Sequence, residues 1–282
     1  MASVRIVTDS SCDLPQEVAD QHGISIVPLS IRFGDEEFTD REELSTDEFW
    51  AKCRATDLLP ETAAPSPGRF EQTFRALAAE GATSIITINL SSGLSATIEA
   101  ARNAQRAVAE DLDVRIIDSQ TVSVGVGALA VLAAEAAEAG KSADEIEELV
   151  NDVAGRTRVH AALDTLENLK KGGRIGGAQS MLGSLLSIKP LIEVRNGVVE
   201  PNGKQRTRSR ALDHLVKLVT EEADNIERLA VLHAACDDVD ALVDRLKPLV
   251  DGEILVGQIG PVVGAHAGIG TIGVTFQVAA KS

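Results

Sequence analysis

The chain alternates short runs of aliphatic and β-branched residues with longer stretches in which apolar residues recur at helical spacing. Short runs of this kind are typical of buried strands, and the longer stretches are typical of amphipathic helices. The predicted strands cover residues 4–8, 24–29, 84–90, 114–117, 159–163, 229–233 and 254–256. Strands that alternate with helices predict an α/β protein with largely parallel sheets.

Local signals mark several helix starts. Ser45-x-x-Glu48 and Ser142-x-x-Glu145 match the capping box, in which the first and fourth residues satisfy each other's backbone N–H groups. Ser66 followed by Pro67 is typical of an N-cap and a first helical residue. These signals stabilise helices and carry no function by themselves.

The second half of the chain departs from the parallel pattern. Asn196-Gly197 separates two β-branched runs, which is a strong signal for a tight hairpin between antiparallel strands. The acidic helix before residue 157 and the polar residues around it mark a plausible boundary. We therefore predict two α/β domains, residues 1–157 with a largely parallel sheet and residues 158–282 with a mixed sheet.

Composition argues against nucleic acid as a partner. The 282 residues carry a formal net charge of −16, which repels a phosphate backbone over most of the surface. Aromatic residues make up 2% and Tyr is absent, so few side chains could stack on bases. The 44% of apolar residues is ample for two globular cores.

Cysteine usage and the N-terminal residues favour the cytoplasm. The three cysteines, Cys12, Cys53 and Cys236, are widely spaced and form no CxxC pair, so we expect reduced thiols and no metal site. The chain starts without an apolar signal segment. Its longest apolar stretch, residues 124–134, is shorter than the roughly 20 residues that cross a membrane. A cytoplasmic protein without an integral membrane segment is the expectation.

Two glycine-rich segments resemble nucleotide-binding motifs. Gly268-Ile269-Gly270-Thr271-Ile272-Gly273 matches GxGxxG, but too few residues follow it for the helix and second strand of a dinucleotide fold. Residues 171–176 read equally well as a helix end followed by a tight turn. The sequence also lacks GxxxxGK[ST], so we predict no cofactor and no ATP site.

Two hydroxyl-rich segments, residues 62–68 and 89–95, stand before predicted helices. Free N–H groups at a helix start favour an anion, although each Ser alone is more typical of a simple N-cap. His266 is the most conspicuous of the five histidines because glycines surround it. A loop histidine of this kind could donate to an anion, or it could be purely structural.

Six segments in order resemble the DegV family of bacterial proteins. They are residues 8–15 (Thr8-Asp9-Ser10-Ser11-Cys12-Asp13-Leu14-Pro15), 62–68, 91–97, 169–176, the 189–206 region with Lys189-Pro190 and Lys204-x-Arg206, and 260–270. The resemblance extends over nearly the whole chain. Known members of this family include the fatty-acid-binding subunits of bacterial fatty acid kinase.

The resemblance implies a non-catalytic carrier that holds a long-chain fatty acid in a slot between its two domains. The ligand carboxylate would contact Thr62 and Ser92, with His266 beside them and Ser91, Ser10 and Arg174 in supporting positions. A separate ATP-binding fatty acid kinase subunit would phosphorylate the presented carboxylate to an acyl phosphate for phospholipid synthesis. Arg206 would face that subunit. We expect a monomer.

The chain departs from the usual family pattern near the implied head-group site. Ala63-Ala64-Pro65-Ser66 follows Thr62 where Ser-Gln-Pro-Ser is usual, Ala96 and Ile98 replace a Gly and an aromatic residue, and Ala267 and Ile269 replace a Thr and a Pro. Thr62, Ser92 and His266 are retained. The expectation of a carboxylate site is therefore kept.

Two alternatives remain open on the sequence. Ser92, His266 and Asp118 could form the nucleophile, base and orienting acid of an acyl hydrolase, although no GxSxG elbow is present. The chain could instead be a binding or regulatory module for another lipid or a small carboxylate.

Overall fold

The computed structural model describes residues 3–183 and 188–280, which fold into thirteen strands and ten α-helices. The strands are β1 Val4–Asp9, β2 Ser25–Val27, β3 Ser30–Phe33, β4 Glu36–Thr39, β5 Glu61–Ala63, β6 Ser84–Asn89, β7 Asp113–Asp118, β8 Thr157–Ala162, β9 Lys189–Arg195, β10 Val198–Gln205, β11 Ile226–His233, β12 Ile254–Gln258 and β13 Ile272–Val278. The helices are α1 Gln16–Gln21, α2 Thr46–Ala55, α3 Pro67–Ala79, α4 Thr97–Val108, α5 Val124–Glu138, α6 Ala143–Arg156, α7 Glu167–Lys171, α8 Arg208–Glu222, α9 Val239–Leu246 and α10 Pro261–Ala267.

The first sheet is parallel and follows the order β2-β1-β6-β7. Its strands bury alternate side chains on opposite faces, so that Ile6 packs in a cluster with α5 and α6 whereas Val7 packs in a cluster with α3 and α4. A parallel sheet covered by helices on both faces needs apolar residues on both sides of each strand. The prediction of a largely parallel first sheet is confirmed.

The second sheet is mixed. Helix α6 ends at Arg156, β8 begins at Thr157, and the strands then follow the order β10-β9-β8-β13-β11-β12. The β11–β12 pair is parallel and the other pairs are antiparallel. Asn196 and Gly197 both have positive φ, 51° and 77°, as a two-residue type I′ hairpin turn requires. The predicted hairpin and mixed sheet are confirmed.

Two parts of the fold were not predicted from the hydrophobic pattern. Strands β3, β4 and β5 form a small antiparallel sheet in the order β4-β3-β5, in which Thr62 of β5 pairs with Ile31 of β3. These strands have only three or four residues each, too few to show a clear alternation. Strand β13 was also missed, although it lies in the middle of the second sheet.

The helix starts agree with the local signals. Both predicted capping boxes are present, at Ser45 with Glu48 and at Ser142 with Glu145. Pro67 is the first residue of α3, as predicted, but the side chain of the N-cap residue Ser66 makes no capping hydrogen bond. Local sequence therefore determines where these helices begin.

A partly buried carboxyl group, Asp13, connects the segment after β1 to the residues before α5 and α10. Its Oδ2 accepts a hydrogen bond from the Ser123 hydroxyl at 2.5 Å, at the start of α5. Its Oδ1 accepts the Gly260 N–H at 3.0 Å, immediately before α10. Burial is the main reason why the pKa of Asp13 is raised to about 7, and nearby Asp40 raises it further. Asp13 thus connects the first part of the chain to the helix that carries His266.

We expect Asp13→Asn to change the pH dependence of stability. The folded protein keeps the Asp13 proton up to about pH 7, whereas the unfolded chain loses it near the ordinary value of 3.8. Because the folded state binds more protons in this window, the contribution of Asp13 to the free energy of unfolding falls as pH rises from about 4 to 7. An Asn does not titrate; its Oδ1 can accept the Gly260 N–H, and its Nδ2 can donate to the Ser123 hydroxyl oxygen. The variant should gain stability relative to wild type across this window, by no more than about 4 kcal/mol.

Chemical denaturation at several pH values measures this difference. Asp35→Asn is a matched control, since it makes the same chemical change on an exposed turn. A stability difference between Asp13→Asn and wild type that stays constant from pH 4 to 7 would contradict the prediction.

Candidate functional site

An apolar cavity lies between the first sheet's loops and the inner face of the second sheet. Leu90, Leu94 and Val122 line it from the first part of the chain, and Val159 and Val194 line it from the second sheet. The cavity volume open to the centre of a water molecule is about 110 Å³. Aliphatic side chains dominate the wall, so the cavity favours an apolar ligand.

A hydrogen-bonded pair of polar side chains stands at one end of this cavity. Thr62 Oγ1 and His266 Nε2 are 2.9 Å apart, and both residues line the cavity. Pairing of β5 with β3 holds Thr62, and helix α10 carries His266. The sequence placed Thr62 before a helix N-terminus, whereas the structure places it in a strand, four residues before the N-cap Ser66.

The His266 ring is neutral near pH 7. Burial, aided by the positive charge of Arg174, lowers its pKa to about 4. Its Nδ1 is buried without a hydrogen-bond partner in the described part of the chain, and a Cβ added at Gly172 would lie 2.3 Å from it. A proton on Nε2 therefore leaves no donor unpaired, which assigns Nε2–H as the donor to Thr62 Oγ1. The Thr62 hydroxyl proton is then free to bind an acceptor.

A polar recess lies on the other side of this pair. It is lined by Thr62, His266 and Arg174, together with Asn168 and Lys171, and water centres can reach about 340 Å³ of it. Thr62, Arg174 and His266 line both the recess and the apolar cavity. Such a boundary suits a molecule with an apolar tail and an anionic head.

Arg174, for which the resemblance implied a supporting position, supplies a positive charge at this boundary. Its Nε donates to the Leu94 carbonyl at 2.9 Å, and its Nη1 donates to the Gly172 carbonyl at 2.6 Å. These bonds tie the turn after α7 to the loop before α4. The residues 171–176 thus form a helix end and a tight turn, with Gly173 at φ 72°.

The structure brings Ser95, and not Ser92, to the cavity. Ser92 is exposed, and its hydroxyl donates to Asp118 at 2.5 Å. Ser95 lines the cavity wall, where its Oγ lies 2.9 Å from Thr97 Oγ1 and accepts the Thr97 N–H at 3.2 Å. Sequence reasoning missed Ser95, although it belongs to the same Ser-rich segment and lies directly before α4.

The other predicted supporting serines have structural contacts. The buried Ser10 hydroxyl accepts the Leu29 N–H at 3.1 Å. The buried Ser91 hydroxyl donates to the Gly197 carbonyl at 2.6 Å, which joins the loop after β6 to the β9–β10 turn. Neither residue lines the apolar cavity.

The residues considered for an acyl hydrolase are not assembled. Ser92 contacts Asp118 directly, whereas the Nε2 of His266 contacts Thr62. A base must be within hydrogen-bonding reach of the nucleophile that it activates. The geometry therefore does not support the triad of Ser92, His266 and Asp118.

Gly268 to Gly273 leads into β13 and not into a helix, which agrees with the rejection of a dinucleotide fold. Cys12, Cys53 and Cys236 are all free thiols. Within residues 3–183 and 188–280, no cluster of three or more His, Cys, Asp or Glu side chains is arranged to hold a metal ion. None of the helices described is both long and apolar enough to span a bilayer.

Comparison with known proteins gives consistent matches. The family model described as an uncharacterised protein of the DegV family matches residues 3–279. A DegV domain-containing protein of Streptomyces coelicolor is 38% identical over 278 residues, 97% of this chain and 98% of that protein.

Two solved structures share the fold over nearly the whole chain. A DegV family protein from Thermus thermophilus, described by its fatty acid binding, has a TM-score of 0.90 and 33% identity, covering 98% of this chain and 99% of that one. DegV from Bacillus subtilis, described as a fatty acid binding protein, has a TM-score of 0.90 and 30% identity, covering 99% and 100%.

Proposed function

The chain belongs to the DegV family, and from this membership and the geometry of its cavity we propose that it binds a long-chain fatty acid between its first and second sheets. The observation that carries this proposal is the placement of Thr62 and His266 at one end of an aliphatic cavity, beside a polar recess. The tail would fill the cavity and the carboxylate would reach the recess. Relatives with the same fold are described as fatty acid binding proteins.

The apolar wall supplies most of the binding free energy in this proposal. Burial of one methylene contributes about 0.8 kcal/mol, so a long acyl tail contributes on the order of 10 kcal/mol before the costs of association. A carboxylate that ended in an apolar wall would lose its hydration without compensation. The hydroxyl and imidazole at the cavity end compensate for that loss.

Three groups would hold the carboxylate. The Thr62 hydroxyl donates to it, because the neutral His266 ring already donates Nε2–H to Thr62 Oγ1. The Ser95 hydroxyl lines the same cavity and offers a second donor. Arg174 stabilises the negative charge from the side of the recess. Hydrogen bonds to an ionised carboxylate are stronger than neutral ones.

The carboxylate would be presented to a second protein and not converted by this chain. A head group at the recess is open to an incoming reagent, while the tail stays buried. We propose an ATP-dependent fatty acid kinase subunit as that partner, with an acyl phosphate as the product. The separation of Ser92 from His266 supports a carrier over a hydrolase.

Arg206 is the proposed contact for the kinase subunit. It is exposed directly after β10 and makes no ion pair within the described residues. Its neighbour Gln205 pairs with Lys189 of β9, and the Lys189 ammonium binds the Asp164 carboxylate at 2.6 Å. Asp164 in turn lies against Gly270, three residues after the end of α10, because a Cβ added at Gly270 would be 2.4 Å from its Oδ2. Arg206 therefore lies at the sheet edge near the end of α10.

Arg208 does not join Arg206 in a free basic patch. Its Nε and Nη2 bind the two oxygens of Asp238 at 2.8 and 2.9 Å. Because Arg208 is partly buried and paired with Asp238, its role is to stabilise the fold. Arg206 is thus the better candidate for docking on a chain of net charge −16.

One prediction of this proposal concerns endogenous ligand. Protein expressed in bacteria should carry a C14–C18 fatty acid near one equivalent, because the burial of a tail of that length yields on the order of 10 kcal/mol. Organic extraction followed by mass spectrometry identifies and quantifies the acid. Ligand-free preparations that also fail to bind added palmitate would refute fatty acid binding.

A second prediction separates the hydroxyl groups. Thr62→Val keeps the shape of the side chain and removes one hydrogen bond to a charged group, which costs roughly 1.5–3 kcal/mol and should weaken palmitate binding about tenfold to a hundredfold. Ser95→Ala should weaken it in the same direction. Ser92→Ala is the matched control and should bind within about twofold of wild type, measured by calorimetry.

The outcomes discriminate between the two serines. A large loss in Ser92→Ala with none in Ser95→Ala would restore Ser92 as the carboxylate ligand. Tight binding by both Thr62→Val and Ser95→Ala would place the head group elsewhere. Methyl palmitate, which lacks the charge, should bind wild type and these variants with similar affinities.

A third prediction addresses Arg206. Arg206→Ala should change fatty acid affinity by less than about twofold and lower acyl-phosphate formation with a cognate kinase subunit at least tenfold, since a desolvated charge contact is worth roughly 2 kcal/mol. Arg54→Ala, at an exposed position on α2, is the control. Loss of lipid binding would move Arg206 into the ligand site, and normal kinase turnover would remove it from the docking surface.

A further inference from the structure

A second cleft lies between helix α5 and the second sheet. Val124, Ala128 and Val131 line it from α5, and Ala230 and Leu255 line it from the second sheet. The volume open to the centre of a water molecule is about 280 Å³. This is more than the 110 Å³ of the cavity proposed for the acyl tail, called the acyl cavity below. Most of the wall of the second cleft is apolar. The cleft could hold the end of an acyl chain if the two spaces were joined.

Thr275 separates this cleft from the acyl cavity. Among the described residues, it alone lines both spaces. It lies on β13 between two neighbours, Val159 of β8 and Ala230 of β11. Val159 lines the acyl cavity and Ala230 lines the second cleft. The Thr275 side chain therefore stands at the border of the two spaces.

The start of α5 borders the acyl cavity beside Val159. The first turn of α5 packs closely on β8, because a Cβ added at Gly125 would lie 3.3 Å from Val159 Cγ2. Val124, the residue before it, is 1% exposed. Straight extension of a tail beyond Val159 is blocked by this contact. An acyl tail that passed Thr275 would instead enter the second cleft near Gln277, which lines that cleft two residues further along β13. That is a distance of roughly 7 Å at the rise of a β-strand.

We propose that Thr275 is the specificity-determining residue that limits the length of the bound acyl chain, by separating the acyl cavity from the second cleft. This inference rests on the proposed binding of a fatty acid. Thr275 would distinguish straight-chain fatty acids that just fill the acyl cavity from longer ones with additional methylenes. A smaller side chain at position 275 joins the two spaces and admits the longer acids.

The experiment measures dissociation constants for saturated acids from C14 to C22. In wild type, affinity should rise about fourfold per methylene, as expected from burial, and then stop rising or fall once the cavity is full. Thr275→Ala should move that limit to longer chains, so that the ratio of C20 to C16 affinity rises at least tenfold. Thr275→Val keeps the volume of threonine without its hydroxyl and should retain the wild-type limit.

A second substitution tests the destination of the tail. Ala128→Leu fills the second cleft from α5 and should leave C16 binding of otherwise wild-type protein unchanged. Combined with Thr275→Ala, it should abolish the gain for C20. Thr275→Ser is an additional, milder enlargement if Thr275→Ala does not fold, as judged by thermal unfolding.

The outcomes separate this inference from the proposed function. If wild type binds no acid of any length, fatty acid binding itself is wrong. If wild type binds C16 but Thr275→Ala and Thr275→Ser keep its length profile, Thr275 does not limit chain length. A shift in Thr275→Val equal to that in Thr275→Ala would show that the hydroxyl, and not the volume, decides, and would also overturn the proposal.

Discussion

The position of helix α10 is the constraint on which the site depends. Three contacts fix the residues at the start of this helix and the helix face that packs against Trp50. Asp13 accepts the Gly260 N–H at 3.0 Å, and the single tryptophan, Trp50, donates its Nε1–H to the Ile259 carbonyl at 2.9 Å. A Cβ added at Gly264 would lie 2.7 Å from the Trp50 ring, so only glycine allows so close a contact. Because these contacts come from distant parts of the chain, His266 reaches Thr62 only in the complete fold.

The electrostatics of the site follow from the same burial. A histidine removed from water next to Arg174 stays neutral, so the imidazole acts as a hydrogen-bond donor and not as a cation. Arg174 is the charged group that lines both the cavity and the recess. A single cation beside neutral donors can hold a carboxylate without neutralising it through a tight ion pair. The carboxylate that we propose for this site would keep its nucleophilic oxygens available in the recess.

The proposed carboxylate site shows which contacts local sequence patterns predict and which they do not. Thr62 and His266 were predicted from a family resemblance and meet at 2.9 Å, yet the residue chosen as their partner, Ser92, turns toward Asp118. Ser92 and Ser95 belong to the same hydroxyl-rich segment, and both are chemically able to bind a carboxylate. The direction in which each hydroxyl points depends on the path of the loop between β6 and α4. That path is set by contacts such as Ser91 with Gly197, which lies 106 residues away.

The sequence by itself determined the α/β class, the parallel first sheet, the 196–197 hairpin and the capped helix starts, because each depends on periodicity or on residues within a few positions. The short β3–β5 sheet was decided by tertiary structure, because strands of three or four residues are stable only beside the partners that complete their hydrogen bonds. The place of the seven-residue strand β13 between β8 and β11 was likewise decided by tertiary pairing. Tertiary structure also placed Ser95 on the cavity wall and Thr275 at the border of the apolar cavity and the second cleft. Those positions depend on how two separately built sheets pack against each other, and no local pattern records that packing.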